Sequence, residues 1–195
     1  MKVIGLTGGI ATGKSEVTNI LRHMNIPVFD ADAAVHEIYQ NGTAAQHLKT
    51  ICPQAIVGGI IDRQILSKLL VTQPELLTEI EALIHPLVRG VETNFIADAA
   101  KKNHRLIVID SPLLVETGHH RDMDFSIMIT STIENQIKRA MARPDMTKAK
   151  LEFILAKQMP AAEKQKSIDL VIENNATLAE LETKVRATFN KLLSN

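Results

Sequence analysis

The chain has 195 residues, somewhat more than one average domain, and its 45% hydrophobic and 23% charged composition excludes a disordered or collagen-like protein. Its 22 basic and 22 acidic side chains balance, so no overall charge attracts nucleic acid, and no apolar run is long enough to span a membrane. Because it has one cysteine, Cys52, and lacks signal-peptide features at its N-terminus, we expect a cytoplasmic protein.

The first predicted element is a strand at Val3–Thr7, and a glycine-rich sequence follows it directly. Residues 8–15 satisfy the P-loop pattern G-x-x-x-x-G-K-[ST] between a strand and a helix. The N–H groups of such a loop hold phosphate oxygens, its lysine contacts the β- and γ-phosphates, and its hydroxyl binds Mg²⁺. The motif therefore predicts a nucleoside triphosphate site formed by Gly8, Gly9, Ile10, Ala11, Thr12, Gly13, Lys14 and Ser15.

A helix is predicted after the P-loop, because apolar residues recur at helical spacing from Val17 to Met24. A second strand is then predicted at Pro27–Asp30, and Asp30-Ala31-Asp32 stands at its end, at the edge of an α/β sheet where ligands bind. If the strand continues, its period of two would point both carboxylates in one direction. One carboxylate there can accept the proton of an acceptor hydroxyl during phosphoryl transfer, and the other can cap the next helix. We favour Asp32 as the base and Asp30 as the cap.

The segment between Asp32 and Asn103 contains no convincing strand and shows helical patterns instead. One helix is predicted after a cap at Asp62, and another has Pro74 at a first-turn position, with a helix boundary at His85-Pro86 as one reading. These patterns predict a helical insertion at 33–102. The core would then comprise 1–32, 103–137 and 151–195, with a lid at 138–150.

A strand of apolar residues, Leu106–Ile109, ends in Asp110. A carboxylate at this place commonly lies beside the Mg²⁺ of a P-loop protein, so Asp110 and the Ser15 hydroxyl are the candidate metal ligands. The alternative for Asp110 is a turn role before Ser111-Pro112, which is frequent chemistry for aspartate. We favour the magnesium role.

The segment at 138–150 has five basic side chains against one acidic residue, Asp145, which leaves a local charge of +4. Arg139 and Arg143 are four residues apart and are predicted to share one helical face near a break at Pro144. Two guanidinium groups on a mobile segment can close over a triphosphate and neutralise charge during transfer. The alternative is a solvated basic face, and we favour the lid.

Two further strands are predicted at Phe125–Thr130 and Asp169–Glu173, each followed by a helix. The apolar runs are continuous rather than alternating, as in strands covered on both faces. Strands that alternate with helices predict an α/β fold with a doubly wound parallel sheet of the P-loop NTPase kind. Capping-box patterns open the last two helices, at Ser131 with Glu134 and at Thr177 with Glu180.

These motifs together resemble the dephospho-CoA kinase family over nearly the whole chain. The P-loop alone is shared by many families, whereas the ordered combination is specific. It comprises Gly5-Leu6-Thr7 before the P-loop, Asp30-Ala31-Asp32, Ile61-Asp62-Arg63, Ile84-His85-Pro86, Pro112-Leu113-Leu114 with Glu116, Gln136 with Arg139, Gln158-Met159-Pro160, Glu163-Lys164 and Asp169 with Asn174.

The resemblance implies transfer of the ATP γ-phosphoryl group to the ribose 3′-hydroxyl of dephospho-CoA, the last step of coenzyme A biosynthesis. It implies a five-stranded core with a CoA-binding helical insertion and a lid, Mg²⁺ as cofactor, and ATP and dephospho-CoA as partners; we expect a monomer. The implied roles are base for Asp32, phosphate contact for Lys14 and Arg139, ATP contact for Arg143 and Asn174, and substrate contact for Asp32, His85, Pro112 and Leu113.

Four positions depart from the family pattern. Ala11-Thr12 replaces a small Gly-Ser pair, which side-chain sterics tolerate provided that neither position needs a positive φ. His36 stands where the family commonly has arginine, Pro144 where it has aspartate, and Ala176 where it has glycine. None of these changes removes a proposed catalytic group.

Two alternatives to this activity stay open in the sequence. Another small-molecule P-loop kinase would use the same parts, although a long helical insertion suits a long nucleotide better than a small sugar. A regulatory NTPase is the other alternative, and the chain lacks the Asn-Lys-x-Asp and Asp-x-x-Gly motifs of GTPases.

Overall fold

The computed structural model describes residues 1–144 and 146–194, with only the backbone at 156 and 157. Its strands are β1 (Lys2–Gly8), β2 (Val28–Asp30), β3 (Ile56–Val57), β4 (Ile60–Ile61), β5 (Leu106–Asp110), β6 (Phe125–Thr130) and β7 (Leu170–Glu173). Its α-helices are α1 (Lys14–His23), α2 (Ala31–Gln40), α3 (Thr43–Leu48), α4 (Arg63–Thr72), α5 (Leu76–Lys101), α6 (Ile133–Met141), α7 (Lys148–Lys157), α8 (Ala161–Gln165) and α9 (Leu178–Ser194). Short 3-10 helices occur at Pro53–Ala55 and His119–Asp122.

Strands β2, β5, β1, β6 and β7 form one parallel sheet in that order. The predicted five-stranded parallel sheet is therefore confirmed, and each strand begins and ends within one residue of its predicted range. β1 lies in the middle, between β5 and β6, and every residue of β5 is buried. The register pairs Leu6 with Asp110 and Gly8 with Ile129, so the carboxyl ends of these strands lie at the edge where the P-loop begins.

The chain divides into two compact units, 1–29 with 99–195, and 30–98. In the first unit, α1 and α9 contact each other, and their apolar faces join the sheet in one core. Leu6, Val17, Leu21, Ile127 and Phe189 are fully buried there. The helical spacing of α1 and the continuous apolar strands together explain this core, because each element covers a face of its neighbour.

The second unit, 30–98, has its own core around Leu48, Cys52, Ile61 and Ile84. Cys52 is fully buried, and this burial raises the pKa of its thiol above its ordinary value. A buried thiol that resists ionisation is unreactive, which fits a side chain whose function is packing.

The prediction of a strandless insertion is wrong at one place, because β3 and β4 pair as an antiparallel hairpin. Gly58 and Gly59 form its turn, with φ values of 60° and 82°. Two glycines with positive φ between short apolar pairs are the signature of a tight hairpin, so the sequence contained a signal that helical patterns on both sides obscured.

The reading of His85-Pro86 as a helix boundary is also wrong. Helix α5 continues through Pro86 as one helix of 26 residues. Proline removes one helical hydrogen bond, to the carbonyl four residues earlier, and the rest of the helix remains. Ile80 and Ile84, which are 2% and 3% exposed, pack this part of α5 into the core of the second unit and so stabilise it across the proline.

Three of the four predicted helix caps are confirmed, and the cap at Asp30 is described with the functional site below. The carboxylate of Asp62 accepts hydrogen bonds from the N–H groups of Gln64 and Ile65. The hydroxyl of Thr177 accepts from the N–H of Glu180 at 3.3 Å and donates to its carboxylate at 3.1 Å. Both contacts satisfy donors that a helix leaves unpaired in its first turn.

The predicted cap at Ser131 is wrong by one residue. Thr132 caps α6 by accepting from the N–H of Asn135, whereas the Ser131 hydroxyl donates to the carbonyl of Asn174 at 2.8 Å. Ser131 is 7% exposed, so its hydroxyl needs a partner inside the protein, and the carbonyl of Asn174, directly after β7, supplies one.

Candidate functional site

The P-loop connects the end of β1 with the start of α1. Gly13 has a φ of 98° and immediately precedes Lys14, the first residue of α1. The Thr12 hydroxyl donates to the carbonyl of Gly9 at 2.9 Å and closes the loop on itself. The first N–H groups of a helix have no helical acceptor and carry a partial positive charge, so this loop offers the donors that a phosphate requires.

Ala11 was expected to be tolerated in the P-loop provided that its φ is not positive. This condition is not met, because Ala11 has a φ of 56°. An alanine in this left-handed conformation costs about 1–2 kcal/mol relative to the right-handed one. Ala11 is 5% exposed and packs with Ile10, Ala140 and Leu151. Burial of its methyl group offsets part of the strain, which explains how the P-loop keeps a residue other than glycine here.

Lys14 and Asp110 form an ion pair at the carboxyl end of the sheet. The Lys14 Nζ lies 2.6 Å from the Asp110 Oδ1, and the two side chains are 17% and 4% exposed. The parallel register that aligns Leu6 with Asp110 brings the two groups together, since the P-loop starts two residues after Leu6. A lysine held at this position carries its charge at the phosphate end of the loop.

Asp30 and Asp32 have different environments in the second unit. Strand β2 ends at Asp30, whose carboxylate caps α2 by accepting from the N–H of Ala33 at 2.9 Å, so the predicted cap is confirmed. Asp32 is exposed in the first turn of α2. The strand period therefore does not apply to Asp32. Its charge is instead favoured by the helix N-terminus.

Arg139 and Asn174 lie together beside the P-loop. The Arg139 guanidinium donates to the Asn174 carbonyl at 3.1 Å and to the Ser131 hydroxyl at 3.3 Å. The Asn174 side chain in turn donates to the carbonyl of Thr12 at 2.8 Å. Of the predicted site residues, Arg139 thus reaches the P-loop through Asn174, which supports the loop backbone directly.

The prediction that Arg139 and Arg143 share one helical face is wrong. Helix α6 ends at Met141, and Arg143 lies in the exposed turn that follows it. The proline after Arg143 disfavours helical backbone at the preceding residue, which explains the early end. Asp145, the acid counted against the basic segment, lies outside the described residues.

The remaining predicted residues take different positions. The carbonyl of Pro112 accepts hydrogen bonds from the Thr7 hydroxyl at 3.2 Å and from the Lys164 ammonium at 2.9 Å. Leu113 is 36% exposed in the same connection after β5. His85 is exposed on α5 in the second unit.

Two contacts near the P-loop were not expected from the sequence, which supplied these residues only as family motifs. The carboxamide Oε1 of Gln158 accepts the N–H of Ile10 at 3.1 Å. Lys164 is 1% exposed, and its Nζ lies 2.8 Å from Glu116 Oε1. Lysine is rarely buried without a charged partner. The motif that contains Glu116 was therefore the feature of the sequence that could have indicated a partner for Lys164.

A cavity of about 220 Å³ lies beside the loop in the first unit. Its polar lining includes Gly9, Thr12, Thr130, Gln136, Gln158 and Lys164. Apolar side chains such as Met128 and Leu155 form the rest of the wall. Mixed walls with a few convergent donors are typical of small-molecule sites.

The residues suited to a metal are Ser15 and Asp110. Within 1–144 and 146–194, no group of three or more His, Cys, Asp or Glu side chains could hold a metal ion. This donor set fits Mg²⁺ nonetheless, because Mg²⁺ with a nucleotide uses one or two protein oxygens together with phosphates and water.

Across the same described residues, no helix is both long and apolar enough to span a membrane.

Substitution of Gly13 by alanine is expected to lower the free energy of unfolding by about 2–4 kcal/mol. An alanine at this position would be held in the left-handed backbone conformation. Its Cβ would also overlap the Nδ2 of Asn174, the atom that donates to the carbonyl of Thr12 in the loop. Urea unfolding measures the effect. Gly90→Ala is the matched control: it lies in α5, where the new Cβ meets no atom within 4 Å apart from its chain neighbours and the backbone of its own helix, and a stabilisation of about 0.5–1 kcal/mol is expected. Equal changes in the free energy of unfolding for Gly13→Ala and Gly90→Ala would contradict the strain expected from alanine at position 13.

The comparisons with known proteins agree with this geometry. The sequence model of the dephospho-CoA kinase (CoaE) family matches residues 2–180. A dephospho-CoA kinase of Rhodopseudomonas palustris (strain ATCC BAA-98 / CGA009) is 38% identical over 186 residues, which cover 95% of this chain and 93% of that relative. A dephospho-CoA kinase of Bartonella quintana (strain Toulouse) is 36% identical over 195 residues, 100% of both chains.

Solved structures give the same result for the fold. The crystal structure of TT1252 from Thermus thermophilus has a TM-score of 0.84 at 32% identity and covers 98% of this chain and 97% of that chain. A dephospho-CoA kinase from Campylobacter jejuni has a TM-score of 0.74 at 23% identity with the same coverage, which supports the fold alone. Because the family match extends from β1 into α9 and includes the P-loop with its Lys14–Asp110 pair, the chain belongs to the dephospho-CoA kinase family.

Proposed function

We propose that this chain transfers the γ-phosphoryl group of ATP to the ribose 3′-hydroxyl of dephospho-CoA, producing CoA and ADP. The single observation that carries the proposal is the family match over 2–180. The site supports it independently, since a P-loop with Lys14 paired to Asp110 provides a cation where the β- and γ-phosphates bind.

The proposed roles in the first unit are electrostatic. Lys14 exchanges part of its contact with Asp110 for phosphate oxygens, and the N–H groups at the start of α1 hold the phosphates in place. Arg139 and Arg143 neutralise the charge that develops on the transferred group, and Asn174 keeps the loop backbone in position for ATP. Such groups accelerate transfer because they are oriented before the reaction begins.

Ser15 and Asp110 are the proposed residues toward Mg²⁺. When bound, the ion would reduce the negative charge of the phosphate oxygens during transfer. Ser15 is exposed at the start of α1, and Asp110 lies at the carboxyl end of β5. Asp110 thus has two tasks, which are to hold Lys14 in the unliganded protein and to face the ion in the complex.

Asp32 is the proposed base for the acceptor hydroxyl, and His85, Pro112 and Leu113 are the proposed contacts of dephospho-CoA. As a carboxylate, Asp32 accepts the hydroxyl proton as the oxygen attacks the γ-phosphorus. The exposure of Asp32 in the first turn of α2 supports this role, because a base must be accessible to its substrate.

We also propose that the protein acts in the cytoplasm as a monomer. All proposed site residues come from one chain, so activity requires no second copy. Cys52 is the single cysteine, and it is buried, which fits a reducing compartment.

The test of the proposed activity is ADP release measured with a panel of acceptors. The panel contains dephospho-CoA, nucleosides, nucleotides, shikimate and simple sugars, each with magnesium ATP. We expect strong acceleration by dephospho-CoA and little turnover without an acceptor. If a sugar or a nucleotide accelerates release more strongly than dephospho-CoA, another small-molecule kinase activity replaces the proposal; fast turnover without any acceptor indicates a regulatory NTPase.

A further inference from the structure

A buried ion pair in the first unit has no place in the roles given so far. The ammonium of Lys164 pairs with the Glu116 carboxylate at 2.8 Å and donates to the Pro112 carbonyl at 2.9 Å. The lysine side chain is 2% exposed and that of Glu116 is 17% exposed. Two charges withdrawn from water are costly unless their geometry is fixed by further hydrogen bonds. The pair therefore holds its neighbours in one arrangement.

The neighbour that this pair holds is the segment directly after α7. The Glu116 Oε1 that pairs with Lys164 also accepts the backbone N–H of Met159 at 3.1 Å. The preceding residue, Gln158, reaches the P-loop, where its Oε1 accepts the N–H of Ile10. A continuous series of contacts thus connects the buried ion pair, through the backbone at 158–159, with the third residue of the phosphate-binding loop.

The contact with Ile10 fixes the orientation of the Gln158 carboxamide. Because Ile10 offers an N–H, the amide atom that faces it must be the acceptor oxygen, and the Nε2 donor is turned to the other side. Gln158 lines the cavity beside Gly9 and Thr12, and its Oε1 lies 3.5 Å from the place of a Cβ on Gly9. The Gln158 carboxamide therefore lies beside the first half of the loop, with its Oε1 at the loop and its Nε2 on the side turned away from the Ile10 N–H.

We propose that Gln158 is a ligand of the terminal phosphate of the nucleotide and that Glu116 and Lys164 are its positioning residues. The Gln158 Nε2 donates to a γ-phosphate oxygen, while its Oε1 keeps the hydrogen bond from Ile10. ADP lacks the γ-phosphate and cannot accept this bond, so Gln158 distinguishes the phosphoryl donor from the product. The inference deepens the proposed function and rests on ATP being the donor.

Two substitutions of Gln158 separate this role from a purely structural one. Gln158→Glu retains an oxygen that can accept from Ile10, but it replaces the N–H₂ donor with a second, negatively charged oxygen. Gln158→Ala removes both the acceptor and the donor. The added charge repels phosphates in either case, so the deciding comparison is between ATP and ADP. A side chain that only supports the loop affects the binding of both nucleotides alike, whereas a ligand of the γ-phosphate affects the binding of ATP more.

The experiment measures dissociation constants of magnesium ATP and magnesium ADP by calorimetry. Gln158→Ala is expected to weaken ATP binding about 10- to 100-fold, the usual effect of losing a hydrogen bond to a charged group, and to leave ADP binding within about threefold. Gln158→Glu is expected to weaken ATP binding at least as much. Gln165→Ala, an exposed glutamine on α8, is the matched control and should change neither constant. Equal losses for ATP and ADP, or full ATP affinity in Gln158→Glu, would overturn the assignment.

The positioning role is tested by a double-mutant cycle. Glu116→Gln is expected to weaken ATP binding several-fold in the wild-type background and to cause no further loss in Gln158→Ala, because both changes act through one contact. Additive losses would overturn the positioning role. If thermal unfolding shows that Glu116→Gln does not fold, Glu116→Gln/Lys164→Met replaces it in the cycle, since this pair leaves no unpaired buried charge.

These binding measurements require no acceptor, so they fail independently of the proposed activity. If the Gln158 variants selectively lose ATP binding but the unaltered protein does not phosphorylate dephospho-CoA, the proposed acceptor is contradicted and the role of Gln158 is supported. Unchanged ATP binding in the Gln158 variants of a protein that phosphorylates dephospho-CoA would overturn the role of Gln158 alone. If the unaltered chain binds no ATP, both proposals are overturned.

Discussion

Asp32→Asn is expected to lower kcat by about 10²- to 10⁴-fold, the usual contribution of a positioned general base. Asparagine has nearly the same shape as aspartate but cannot accept the hydroxyl proton. Asp32 is exposed in the first turn of α2, so loss of its charge should cost only about 0.3–1 kcal/mol of stability. Steady-state kinetics at saturating ATP and dephospho-CoA measure the effect, and KM should change much less than kcat.

The matched control for Asp32 is Asp30→Asn, two residues earlier. Asp30 caps α2 through the N–H of Ala33, and asparagine caps helices about as well as aspartate. We therefore expect nearly wild-type kcat and stability for Asp30→Asn. The reverse result, with activity lost in Asp30→Asn and kept in Asp32→Asn, would assign the base to Asp30.

Lys14→Met is expected to lower kcat/KM by about 10³-fold or more, because it removes the cation proposed to contact the β- and γ-phosphates. The same change leaves the Asp110 carboxylate, whose side chain is 4% exposed, without the partner 2.6 Å away. Breaking a buried pair from one side typically costs about 3–5 kcal/mol, so reduced stability is also expected. Kinetics and urea unfolding measure the two effects separately.

The double variant Lys14→Met/Asp110→Asn separates catalysis from folding. It removes both charges of the pair, so most of the lost stability should return. Activity should not return, because the phosphate-binding cation is still missing. Recovery of activity together with stability would mean that Lys14 serves the fold rather than the reaction.

The strands and the P-loop were predictable because local patterns determine them. Continuous apolar runs require cover on both faces, and five such runs separated by helices define a parallel sheet. The proximity of Lys14 to Asp110 follows from that sheet, since neighbouring parallel strands end at the same edge. A pattern read along the chain was sufficient for these features.

Contacts between distant segments were not predictable in the same way. Gln158 and Lys164 belong to recognisable motifs, but nothing local shows that one reaches Ile10 or that the other is buried against Glu116. The positive φ of Ala11 was equally hidden, because backbone strain at a functional loop is maintained by tertiary packing and not by the residue's own preference.

Errors of one residue had larger consequences than missing elements. Thr132 caps α6 in place of the predicted Ser131. The Ser131 hydroxyl instead donates to the carbonyl of Asn174, beside the proposed ATP site. Likewise, α6 ends before Arg143, so the two arginines of the basic segment differ in backbone environment. Propensity patterns do not determine helix ends to this accuracy, because adjacent hydroxyl residues can cap equally well.

The central claim is the identity of the phosphoryl acceptor, and the most direct measurement is the fate of labelled γ-phosphate. The unaltered protein is incubated with magnesium ATP labelled at the γ-phosphate and with dephospho-CoA, and the product is analysed by mass spectrometry and phosphorus NMR. We predict one ADP for each labelled phosphate found as a ribose 3′-monoester on dephospho-CoA. Label recovered as inorganic phosphate, or at any other position of the acceptor, would contradict the account.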